Sequence, residues 1–124
     1  MKTRIAVLVS GGGTNLQALL DAQERRELIS GEIALVVSNN ANAYALERAK
    51  KAGIPTKVLL KKDLGGQEGF EQALLKTLEE AGIQLIVLAG FMSILTEGFT
   101  ARYPRRIINV HPSLIPSFCG AGYY

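Results

Sequence analysis

The stretch "IAVLVSGGGTNLQALL", Ile5 to Leu20, decides how the chain is read. Ile5 to Ser10 is an apolar run that closes in glycines, the pattern of a strand buried on both faces. From Thr14 to about Leu28 the apolar residues recur at helical spacing, with Leu16, Leu19, Leu20 and Ala22 near one face. Thr14 and Gln17 have capping-box spacing, in which a hydroxyl and an amide satisfy opposite orphan N–H groups. "SGGGTN" joins the two elements. Its three glycines allow a tight turn and a close approach of ligand to main chain. The helix start then offers N–H groups and the positive end of the dipole to an anion.

The same alternation continues outward. Strands are expected over Ile33–Ser38, Thr56–Leu60, Gln84–Ala89 and Arg106–Val110. Helices are expected over Asn42–Ala52, stopped by Gly53 and Pro55, and through Phe70, Ala73, Leu74, Thr77, Leu78 and Ala81, with Gly82 as the C′ residue. Leu95–Tyr103 reads as a short helix and "DLGGQEG", residues 63–69, as a loop. Strand–helix alternation means an α/β fold: a Rossmann-like parallel sheet with helices on both faces. In such sheets ligands bind beyond the C-terminal strand ends. Three chemical-looking stretches fall there: Ser10–Asn15, Gly90–Leu95 and His111.

Composition narrows the class. With 124 residues, 48% hydrophobic and 20% charged, the chain suits one soluble globular domain. Its longest apolar runs are strand-sized, far below the roughly 20 residues of a membrane span. "MKTRIAVLVSGGG" imitates a secretory signal, but Ile5–Val9 is shorter than the ~7–15 residues of such an apolar region. The single cysteine, Cys119, rules out an internal disulfide and fits a reducing, cytoplasmic setting. The net charge of +3 comes from scattered pairs such as Lys50–Lys51 and Arg105–Arg106. No basic stripe with interleaved aromatics accompanies them, so nucleic acid is a poor partner and a small anionic substrate a better one.

Two familiar phosphate loops fail against the glycine stretch. A Walker A loop needs a lysine after its glycines, and none is present. The dinucleotide pattern would run Gly11, Gly13 and then Leu16 where its third glycine belongs, and the second strand ends in Ser38, Asn39 and Asn40 rather than in an acid. A phosphomonoester site at a helix start remains, against the alternative of a tight turn that binds nothing.

His111 is the only histidine. It ends a strand on the expected functional edge, and Pro112 biases it toward extended backbone. Asn109, two residues back, leaves the strand on the same face. Such a pair can donate to a developing oxyanion and move a proton. A Cys119–His111 nucleophilic pair is permitted by spacing but poorly supported, and no ligand-spaced set for a metal appears.

"SGGGTNLQAL", "VVSNNANAYALERAKKAGI", "LAGFMSIL" and "INVHPSLIPSF" together resemble the phosphoribosylglycinamide formyltransferases, folate-dependent enzymes of purine synthesis. The resemblance covers essentially the whole chain, and the N-x-H-P-S-L-[IL]-P segment marks the wider formyltransferase superfamily. It implies a formyltransferase fold and transfer of a formyl group from 10-formyltetrahydrofolate to the amine of glycinamide ribonucleotide. Within it, Asn109 matches the residue that binds the formyl oxygen and His111 the general acid. Gly11, Gly12, Gly13, Thr14 and Asn15 match the substrate-phosphate loop, and Met92, Ser93, Ile94 and Leu95 the segment lining the pterin pocket. Ser93 and, in a loosely aligned loop, Gln67 stand where many members carry folate-contacting arginines. The catalytic aspartate that members carry downstream of the histidine has no counterpart before Tyr124. Residues 1–124 therefore read as the N-terminal nucleotide-binding domain, cut after the fifth strand and of weak or absent activity by itself. The alternatives are a formyltetrahydrofolate hydrolase and a non-catalytic phosphate-binding half-domain.

Overall fold

The computed structural model describes residues 3–25, 31–92 and 95–110. Strands β1 (Thr3–Val9), β2 (Gly31–Ser38), β3 (Thr56–Val58), β4 (Leu85–Ala89) and β5 (Ile107–Val110) form one parallel sheet in the order β3-β2-β1-β4-β5. Helices α1 (Thr14–Glu24), α2 (Tyr44–Lys51), α3 (Lys61–Leu64), α4 (Gln67–Glu80) and α5 (Glu97–Thr100) lie between them.

Alternate side chains of each strand enter different cores. Ile5, Val7 and Val9 pack with Leu16, Leu19 and Leu20 of α1 and with Ala45, Leu46 and Ala49 of α2. Ala6 and Leu8 pack with Phe70, Leu74 and Leu78 of α4 and with Phe99 of α5. The expected helices on both faces are therefore present. A bulge in β2 complicates the alternation: Ile5 pairs with Ile33 but Ala6 with Leu35, so Ala34 is passed over. Ile33 and Val36 consequently face the first core, and Leu35 and Val37 the second.

Helix stops follow the glycines. After α4, Gly82 is left-handed (φ 67°), with its N–H on Glu79 O at 3.1 Å and that of Ile83 on Leu78 O at 3.0 Å. This is a Schellman motif, and Gly53 and Ile54 repeat it after α2.

Three expectations need correction. The capping box does not form: Gly13 occupies the N-cap of α1, and the Gln17 amide donates to Asp21 Oδ1 at 2.9 Å instead. Residues 63–69 are not a loop: α3 ends at Leu64, Gly65 and Gly66 turn with positive φ, and α4 begins at Gln67. The helix expected over Leu95–Tyr103 is only the turn Glu97–Thr100, followed by further turns. Leu28, expected in the first helix, lies outside the described residues.

Candidate active site

The strand order reverses beside β1, which sends β2 one way and β4 the other. Crossovers diverge at such a point and leave a crevice beyond the C-terminal strand ends. A cleft of about 130 Å³ lies there, lined by Gly11, Gly12, Gly13, Thr14, Asn15, Ala89 and Gly90. The glycine loop and the start of the β4 loop are thus brought together, as expected.

Polar contacts knit the strand ends. Ser10 Oγ donates to Asn39 Oδ1 at 2.7 Å and accepts the Met92 N–H at 2.8 Å, so one hydroxyl ties the loops after β1, β2 and β4. Asn40 Nδ2 donates to Ser10 O at 3.1 Å, and Asn40 Oδ1 accepts the Asn42 N–H at 3.0 Å on the way into α2.

The glycine loop is held from behind. The Ala45 N–H donates to Gly11 O at 3.1 Å, and Arg48 Nε donates to Gly12 O at 2.7 Å. In a planar trans peptide the N–H points opposite the C=O. With both carbonyls drawn toward α2, the N–H groups of Gly12 and Gly13 are turned away from it. Gly13 is left-handed (φ 82°), and a Cβ there would lie 2.6 Å from Ala45 Cβ, so both backbone and space demand glycine. Successive N–H groups around a left-handed residue make an anion-binding concavity. The first turn of α1 adds N–H groups that no helical carbonyl can reach.

The segment after β4 leaves over the other face of the sheet. Phe91 stacks on Phe70, with ring centroids 6.4 Å apart. Met92 is 86% exposed, whereas Leu95 is buried in the α4–α5 core. Asn109 pairs with Leu88, is half-buried and, two residues on from Ile107, lies on the α4–α5 side of β5. Ser93, Ile94 and His111 lie outside the described residues, as does Cys119.

Gln67 stands in the first turn of α4, where Nε2 donates to Glu71 Oε2 at 2.7 Å. Glu71 is buried and also accepts the Thr96 N–H at 2.7 Å and the Thr96 hydroxyl. Glu71 thus fastens α4 to Thr96, and Gln67 bonds to Glu71 within the same helix. Burial pushes the Glu71 carboxyl up, but the Thr96 N–H and hydroxyl, the Gln67 amide and the Lys61 charge outweigh it and hold the group below its ordinary value. Sequence reasoning took Ser10 in only as the start of the Ser10–Asn15 stretch and passed over Arg48 and Glu71 as site-forming residues. Their roles rest on partners as distant as 25, 36 and 82 positions, which no local pattern records.

Fold and cleft together define a doubly wound α/β protein with an anion-receptive loop at the topological switch point. A family model described as Formyl transferase matches residues 3–124, and the chain belongs to that family. The phosphoribosylglycinamide formyltransferase of Haemophilus influenzae is 46% identical over 121 residues, 98% of this chain and 57% of that protein. The trifunctional purine biosynthetic protein adenosine-3 of Gallus gallus is 47% identical over 120 residues, 97% of this chain and 12% of that one. The solved phosphoribosylglycinamide formyltransferase of Coxiella burnetii superposes with a TM-score of 0.84 at 43% identity, covering 98% of this chain and 56% of that one. The chain thus spans little more than half the length of its single-function relatives.

Proposed function

We propose that residues 1–124 form the N-terminal nucleotide-binding domain of a cytoplasmic enzyme that moves a formyl group from 10-formyltetrahydrofolate to the amine of glycinamide ribonucleotide. The observation that carries this reading is the cleft of about 130 Å³ between the glycine loop and Ala89–Gly90. Gly11, Gly12, Gly13, Thr14 and Asn15 take the substrate phosphate on main-chain N–H groups. The edge from Met92 through Ser93 and Ile94 to Leu95 takes the pterin, with Gln67 fastening its far end through Glu71 and Thr96. As the amine attacks the formyl carbon, negative charge develops on the formyl oxygen. The Asn109 amide donates to that oxygen, and His111 acts as general acid.

The test is a coupled assay on the protein as its gene encodes it. Loss of 10-formyltetrahydrofolate should require glycinamide ribonucleotide. Equal loss without the amine would mean hydrolysis, and nucleotide-dependent thermal stabilisation without any turnover would mean a binding module.

A further inference from the structure

Arg48 stands behind the glycine loop. It is half-buried, with one contact to that loop and others to the two flanking helices. Nε donates to Gly12 O at 2.7 Å, Nη1 donates to Gln17 Oε1 at 3.2 Å, and the guanidinium carbon lies 5.1 Å from the Tyr44 ring centroid. A planar guanidinium with two of its donors committed and a face on an aromatic ring has a fixed orientation. Its bond to Gly12 O does two things to the peptide that follows. It sets the plane, so that the Gly13 N–H faces away from α2. It also polarises the amide, since a charged donor on the carbonyl makes the N–H of the same peptide a stronger donor. Gln17, the second anchor, stands on α1, the helix that the loop enters. Arg48 therefore couples the carbonyl side of the loop to both flanking helices without itself lining the cleft.

We propose that Arg48 is a positioning residue for substrate phosphate: it orients and strengthens the Gly13 N–H that the phosphate meets. The proposal rests on the function proposed above. An arginine is needed because the fork must reach Gly12 O and Gln17 Oε1 at once. A lysine supplies the charge at a single point.

The test compares wild type, Arg48→Met and Arg48→Lys in the protein as its gene encodes it, by steady-state kinetics with glycinamide ribonucleotide and 10-formyltetrahydrofolate. Arg48→Met should raise KM for the nucleotide about tenfold or more, with kcat within about twofold of wild type and KM for the folate unchanged. Arg48→Lys should raise the nucleotide KM by at least about threefold, because charge without the fork restores only part. A smaller rise in the lysine variant overturns the proposal, and that variant alone decides if Arg48→Met does not fold. A fall in kcat with unchanged nucleotide KM overturns it as well. A wild-type enzyme indifferent to glycinamide ribonucleotide overturns the proposed function and this proposal together, before any variant is needed.

Discussion

Gly13 combines a left-handed backbone, φ 82°, with Ala45 Cβ 2.6 Å from where its own would be. Gly13→Val should cost about 2 kcal/mol or more, from left-handed strain of about 1–2 kcal/mol and the added clash. Chemical denaturation would measure that loss, and binding of a phosphorylated ligand should go with it. Arg105 is the converse case: a non-glycine residue at φ 61° in the turn before β5. Arg105→Gly should raise stability by less than about 1 kcal/mol, because relief of strain outweighs the added freedom of the unfolded chain. Asn109→Ala should lower kcat about 10²–10³-fold if its amide meets the formyl oxygen, with little change in nucleotide KM. The glycines were legible at this scale because φ preference is a property of the residue. The Thr14–Gln17 capping box misled because the left-handed Gly13 took the N-cap, leaving Gln17 to Asp21 and Arg48.

The α3–α4 junction shows where periodicity stops being informative. Lys61–Leu64 is a single turn, too short to display a 3.6-residue period, and the glycines after it read as loop. A close contact constrains the junction: a Cβ on Gly69 would overlap the Leu64 carbonyl oxygen. Glu71 adds a long-range tie between α4 and Thr96. Its carboxyl lies below its ordinary value in the folded protein. The stabilisation from Glu71 is therefore complete above the unfolded carboxyl pKa, and it is lost as pH falls through the lower folded value. Wild type should lose more stability on acidification than Glu71→Gln, as thermal melts across the acid range would show. Buried strands and long amphipathic helices were legible because each repeats its signal over many residues, as Ile5–Val9 and Phe70–Leu78 do.

At the scale of the whole molecule, alternation of strands and helices sufficed to foresee a parallel sheet. The order β3-β2-β1-β4-β5 then brings the glycine loop and Gly90 together at the C-terminal strand ends. The cleft itself was legible only as a coincidence of strand ends. The glycine loop that lines it is held from behind by the Ala45 N–H and the Arg48 guanidinium, both from α2. Because ligand binds only the folded protein, glycinamide ribonucleotide at about 100 times its Kd should stabilise wild type by about 2.7 kcal/mol. His111→Ala should keep that gain and Gly13→Val should lose it, which thermal melts with and without nucleotide would show. The most direct test of the central claim is an amide NMR titration of the protein with glycinamide ribonucleotide. Saturable shifts of the Gly12, Gly13 and Thr14 N–H resonances are predicted, and saturation of binding with those three unmoved would contradict the account.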